Sequence, residues 1–222
     1  MAQEAMISIH AEINEPYVEK VEDGEPRGVG IEYVRALFSE AGIPYTLNVL
    51  PWRRAVKAVR ESDSNCLIFA NRTPDRESDY RWVSPIILGQ WVFWGKPNSG
   101  IVINDLRDLE LYRLVSKIDS ASTKAMENEL GFSGIAAMTD SQAAKLLVYG
   151  RADIMLSGLF DGAVAAKEIG SEPFDILYRW KETSLDMACN KNTPTSLINQ
   201  LNLANLRLGG LRTSLIMDRL LN

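Results

Sequence analysis

Along this chain the spacing of apolar residues switches repeatedly between two and 3.6, the signature of strands alternating with helices. Ile7, Ser8 and Ile9 form a short strand-like start. Ile31, Val34, Phe38 and Ala41 then share one helix face, and Gly42 stands where a helix C-terminus favours glycine. Thr46 to Leu50 reads as a strand, and Pro51 suits the helix start that follows. Trp52, Ala55, Val56 and Val59 make the buried face of that helix, while Arg53, Lys57 and Arg60 line a polar face. Cys66 to Ala70 is a continuous apolar run, as expected of a strand covered on both sides. Gln90 to Lys96 is another strand, closed by Gly95 and Pro97.

A second block repeats the theme. Arg113 to Ser116 is a strand, Asp119 or Ser120 can cap a helix running to Leu130, and Thr139 or Asp140 can cap another ending at Gly150. Asp153 to Ser157, Phe174 to Tyr178 and Leu185 to Cys189 read as strands. Thr193-Pro194 starts a helix carrying Leu197, Leu201, Ala204 and Leu208, which Gly209-Gly210 stop before a terminal helix from about Thr213. The pattern predicts an α/β protein with mainly parallel sheets. Two similar βα blocks point to two lobes, and a cleft between lobes is a common place for a small-molecule site.

Composition narrows the function. The chain has 222 residues, a net charge of −5 and a pI of about 5.1. A dedicated nucleic-acid binder is usually basic, so the cations after Trp52 read as a solvated helix face. No apolar run approaches the ~18 residues a transmembrane helix needs. The start, MAQEAMISIH, has neither a basic n-region nor an apolar h-region, so no signal peptide is expected in this chain, which fits a cytoplasmic protein or a mature form. Cys66 and Cys189 lie outside any CxxC pattern and His10 is the single histidine, which argues against a zinc site. The cysteines read as two buried free thiols, with a disulfide as the alternative.

Catalytic and cofactor motifs are missing as well. There is no GxxxxGK[ST] loop and no GxSxG. GVGIEY, from Gly28 to Tyr33, has two glycines but neither the third nor a convincing strand before it. His10 reads as a structural histidine, and nothing in the spacing of Glu12 and Glu15 demands acid–base work. No catalytic residue, cofactor or metal is expected.

Several phrases, in order, carry a resemblance: Pro16-Tyr17 in INEPYVE, the turn Asp23-Gly24, Pro51-Trp52 with Arg54-Ala55, Thr73 with Arg76, and Trp82 with Ser84-Pro85. With the C-terminal helices from Leu197 to Leu220, the chain resembles the family 3 extracellular solute-binding proteins, the amino-acid-binding receptors of ABC transporters. The resemblance implies a two-lobed periplasmic-binding-protein-like fold of type II, each lobe a mainly parallel sheet flanked by helices. Lobe 1 would be residues 1–90 plus 186–222 and lobe 2 residues 91–185, with a hinge of two crossover strands near Gln90 to Trp94 and Thr183 to Asp186. Closure would trap the ligand. It further implies a monomer in the periplasm, its signal peptide removed, that binds a small solute (an amino acid or other carboxylate) and no nucleic acid, and meets a membrane permease.

The same resemblance names a site. Trp52 would project into the cleft and pack on the ligand. Arg76 would set its planar fork on a ligand carboxylate, helped by the Thr73 hydroxyl and by Asn71; the plain alternative is an ion pair with Asp75, Glu77 or Asp79. Tyr17, Trp52 and Phe69 would give apolar walls, and Glu12 and Asn14 polar contacts. Ser120 and Ser122 open a helix whose free N–H groups favour an anion, although Asp119 and Ala121 replace the glycine usual there and simple capping serves equally. The largest departure follows Asp153 to Leu156. Amino-acid binders usually place an Asp near Ser157-Gly158, whereas here the next acid is Asp161, so Asp161 stands in or the ligand lacks an α-ammonium. Two other readings stay open: a sensor input domain for a membrane partner, and a dehydratase-like enzyme with Glu12 as acid or base.

Overall fold

A computed structural model describes residues 6–19 and 25–221, and the Asp23-Gly24 turn lies outside them. Along the chain come β1 (Ile7–Ala11), α1 (Val29–Ala41), β2 (Tyr45–Val49), α2 (Trp52–Glu61), β3 (Asn65–Asn71) and the long β4 (Tyr80–Gly95). Then follow β5 (Leu114–Lys117), α3 (Ala121–Ala125), β6 (Ile135–Ala137), α4 (Asp140–Val148), β7 (Ile154–Gly158), α5 (Leu159–Glu168), a second long strand β8 (Asp175–Asn190), α6 (Thr195–Arg207) and α7 (Gly209–Leu221). The chain divides into two compact units, Met1–Leu88 with Ser184–Asn222, and Gly89–Thr183.

In unit 1 the strands run in the order β2-β1-β3-β8. The first three are mutually parallel and β8 is antiparallel to β3. Helix α1 forms where the apolar stripe predicts it, burying Ile31, Val34, Leu37, Phe38 and Ala41, and Gly42 ends it in the left-handed conformation at φ 66°. Asn205 on α6 donates to the Pro85 carbonyl over 3.1 Å and accepts from the Tyr33 hydroxyl over 2.7 Å, tying α6 to β4 and α1.

One expectation fails in this unit. Cys66 and Cys189 are not free thiols. They stand directly opposite each other in the β3–β8 register, with Cα atoms 3.9 Å apart, and are joined as a disulfide. A separation of 123 along the chain gave no hint of this, because only the strand pairing makes them neighbours.

Unit 2 orders its strands β4-β7-β5-β6, with β5 parallel to both its neighbours and β4 antiparallel to β7. Val92, Trp94, Val115, Met155 and Leu147 form one side of its core, and Phe93, Leu114, Met126 and Leu156 the other. The fold is thus α/β with a mixed sheet. Each predicted strand from Phe174 to Tyr178 and from Leu185 to Cys189 belongs to the single β8, because the polar stretch between them stays extended. The helix expected up to Leu130 ends as α3 and continues as one π-helical turn from Met126 to Leu130. Helix α5 and the short β6 carried no pattern that sequence inspection caught. Among the described residues no helix is long and apolar enough to cross a membrane, and no group of acids, histidines or cysteines could hold a metal.

Candidate functional site

In unit 1 the candidate residues gather where β1 and β3 end and α2 begins, the edge of a parallel sheet at which ligands commonly bind. Trp52 is the first residue of α2, and its N–H donates to Glu12 Oε1 over 3.0 Å. A carboxylate there satisfies an N–H that the helix leaves open and suits the positive end of the helix dipole. Behind Trp52, Ala55 and Val59 are buried, while Arg53, Arg54, Lys57 and Arg60 are exposed. The basic run is therefore a solvated face.

The Arg76 guanidinium lies over the Trp52 ring, 5.6 Å from its centroid, and makes a long hydrogen bond of 3.4 Å to the Asn71 carbonyl. Two nearby acids that could have taken it are engaged elsewhere. Arg72 donates through both Nε and Nη2 to Glu77, and Arg60 reaches Asp79 over 3.5 Å. Neither of those two acids is therefore paired with Arg76. Beside it the Thr73 hydroxyl is buried and has no hydrogen-bond partner, which is costly for a polar group unless something else supplies one.

Tyr17 and Asn14 are placed differently. Tyr17 is 3% exposed, its ring stacked on Phe69 at a centroid distance of 5.9 Å. Asn14 closes a tight turn, its carbonyl accepting from the Tyr17 and Val18 N–H groups. His10 is buried at the end of β1. Burial lowers its pKa, a nearby Asn65 opposing the shift, and neither ring nitrogen has a hydrogen bond of good geometry. It is a neutral core residue.

In unit 2 the corresponding edge is formed by the ends of β5 and β7. Ser120 accepts from the Thr123 N–H over 3.1 Å and shares its hydroxyl with Ser122 and Thr123, and Thr123 donates to the Lys117 carbonyl over 2.7 Å. These hydroxyls cap a helix of only five residues and are spent on it. Ser157 donates to Asp140 over 2.6 Å, and Lys117 stands 4.0 Å from the other Asp140 oxygen. Asp161, in the first turn of α5, folds its carboxyl back over Gly158. A Cβ at position 158 would lie 2.0 Å from Asp161 Oδ2, so any larger residue there would push the Asp161 carboxyl out of this position. Part of the Asp161 surface stays accessible, yet its carboxyl is ringed by protein. Burial, then the charge of Asp140, raise its pKa to about 7 against the opposing Lys117.

The structure therefore brings Trp52, Asn71, Thr73 and Arg76 together in unit 1. In unit 2 it groups Ser157 with Asp161 and puts Ser120 and Ser122 in a separate capping cluster. Sequence inspection missed Lys117 and, as anything but a cap, Asp140; Thr139 is the actual cap of α4. Their place at strand-to-helix turns of one sheet edge is the signal that could have found them.

Compared by sequence, the chain matches no family model and no curated protein. Compared by structure, it is similar to a histidine kinase sensor domain with similarity to periplasmic binding proteins, at TM-score 0.80 and 16% identity over 96% of this chain and 95% of that one. It is similar to the GluR0 ligand-binding core of Nostoc punctiforme in complex with L-glutamate, at TM-score 0.77 and 19% identity over 94% and 96%. It is also similar to the ancestral amino-acid-binding protein AncCDT-1, a precursor of cyclohexadienyl dehydratase, at TM-score 0.77 and 19% identity over 96% and 94%. The fold is that of the periplasmic binding proteins.

Proposed function

We propose that the chain is a family 3 extracellular solute-binding protein, a non-enzymatic receptor that captures a small, polar, carboxylate-bearing solute, an amino acid or a relative of one. The observation that carries this reading is Arg76. Its fork is held on Trp52 and is not paired with Glu77 or Asp79, next to a buried Thr73 hydroxyl with no partner. A planar carboxylate would satisfy both groups, through two parallel charge-assisted bonds and one hydroxyl bond. In unit 2 we assign Asp161 to a ligand cation, since its carboxyl lies over Gly158, near which the resemblance to amino-acid binders would place an acid. The amino-acid-binding neighbours in fold support the solute class.

A disulfide persists in oxidising compartments, which supports a periplasmic location. In this reading the partner is the permease of an ABC transporter and the working form a monomer. The similarity to a kinase sensor domain supports a second reading, a sensor input for a membrane partner. An elimination enzyme is disfavoured by Glu12, the acid it would draw on, because that carboxylate is engaged at the start of α2.

The test is a thermal-shift screen with the twenty amino acids, small dicarboxylates, polyamines and short peptides, repeated on Arg76→Ala. A ligand that binds only the folded protein raises the melting temperature by mass action. A shift from one carboxylate solute that Arg76→Ala abolishes is the expected result. A shift that survives the substitution removes Arg76 from the site, and turnover of prephenate or arogenate would replace the receptor with an enzyme.

A further inference from the structure

Strand β3 does not run straight into the Arg76 turn. Leu67 pairs with Ala188 and Ala70 with Asp186, so two residues, Ile68 and Phe69, stand opposite one, Met187. This is a β-bulge. Phe69 sits in it at φ 62°, a left-handed conformation that a bulky aromatic residue adopts only under constraint. The constraint is visible. The Phe69 ring is stacked on Tyr17, and its far edge reaches so close to Gly30 of α1 that a Cβ there would lie 2.3 Å from Cζ. Gly28, at φ 115°, lets the chain pass against the Pro16 and Tyr17 carbonyls, where a Cβ would meet oxygen at 2.7 and 2.6 Å. Of the two glycines of GVGIEY, Gly30 makes room for this ring and Gly28 for the backbone that carries Tyr17.

A bulge has a directional consequence. Side chains alternate faces along a strand, so one extra residue exchanges the faces of the strand residues beyond it, and with them the direction in which the following turn leaves the strand. Asn71 follows two residues after Phe69, and the Thr73–Arg76 turn starts from there. We infer that Phe69, clamped in its left-handed bulge by Tyr17 and Gly30, is a positioning residue that decides on which face Asn71, Thr73 and Arg76 are presented. The inference rests on the reading of Arg76 as the ligand anchor, but it is tested here without ligand.

Phe69→Asn and Phe69→Val separate positioning from packing. Asn tolerates a positive φ, whereas the β-branched Val resists it. If Phe69 served only as core, Val would be the milder change, because a buried Asn loses apolar contact and brings an amide to satisfy. The readout is the rate at which phenylglyoxal modifies Arg76, followed by peptide mass spectrometry, with the exposed Arg54 of α2 as internal control. In Phe69→Asn the Arg76 rate should stay within about twofold of the parent, and in Phe69→Val it should rise at least severalfold as the Trp52 contact is lost. Equal rates, or the reverse order, overturn the inference. Gly30→Ala provides the second route should either variant fail to fold. In a helix interior this change normally stabilises, so a lower melting temperature with a faster Arg76 reaction is expected, and an unchanged Arg76 rate overturns the inference. A ligand shift that survives Arg76→Ala would instead defeat the anchor and leave the bulge intact.

Discussion

The ends of β1 and β3 in unit 1 and of β5 and β7 in unit 2 present the same kinds of residue and use them differently. In unit 1 Arg76 packs on Trp52 rather than pairing with Glu77 or Asp79, and the Thr73 hydroxyl has no partner. In unit 2 Ser120, Ser122, Thr123 and Ser157 all have partners within the unit. Hydrogen-bonding capacity that the fold has already used offers little to a solute. A hydroxyl at a strand edge therefore counts as a binding group only if the fold leaves it unmet.

The units differ in covalent support too. The Cys66–Cys189 bond ties β3 to β8 in unit 1, and the chain's two cysteines leave none for unit 2. Closing a loop this long contributes about 5 kcal/mol in the chain-entropy account. The Cys66→Ala/Cys189→Ala protein should lose stability on that scale by urea titration, the largest effect expected here. Hydrogen exchange then sharpens the contrast. Amides of Asn65–Asn71 should lose protection while those of Leu114–Lys117 and Ile154–Gly158 keep it. Equal loss in both units would mean that they open as one block.

A second asymmetry is electrostatic. Asp161 titrates near pH 7 when folded but near 3.8 when unfolded. Between those values the folded protein holds a proton that the unfolded chain has released, so stability falls as pH rises from about 4 to about 7 and levels off above. Asp161→Asn should flatten that slope and leave the variant more stable than the parent at pH 8, by something of order 2 kcal/mol. Asp186 in unit 1 is shifted up by burial in the same sense, and His10 is shifted down and acts oppositely. Both remain in the variant, so the difference between variant and parent isolates Asp161. Parallel urea midpoints at pH 5 and pH 8 would remove Asp161 from the account.

Much of the fold is legible in the sequence because apolar periodicity reports burial directly. The α1 stripe ending at Gly42 and the apolar β3 run both form as their spacing predicts. What pairing alone decides stays hidden: the disulfide, the continuity of β8 across Arg179–Ser184, and the bulge that turns Phe69 left-handed. The site divides in the same way. Sequence could bring forward Trp52, Thr73 and Arg76 through residue types in order, but not that Arg72 and Arg60 occupy Glu77 and Asp79. Nor could it separate Ser120, which caps, from Thr73, which does not.

That last distinction makes the smallest and most discriminating prediction. Thr73→Val keeps the shape of the side chain and removes only a hydroxyl that no protein group uses. An unsatisfied buried hydroxyl adds nothing to folding and carries a desolvation cost, so the variant should melt at or slightly above the parent temperature. Ser120→Ala removes a hydroxyl that accepts from the Thr123 N–H, and should cost about 1 kcal/mol as other N-cap losses do. The order reverses with a bound carboxylate solute. The thermal shift should shrink in Thr73→Val, by an affinity loss of about tenfold, because the hydroxyl finds its partner only in the ligand. In Ser120→Ala the shift should persist from a lower starting temperature. A destabilised Thr73→Val would mean that the hydroxyl is already bonded within the fold, and the contrast between the two edges would fail at its most specific point.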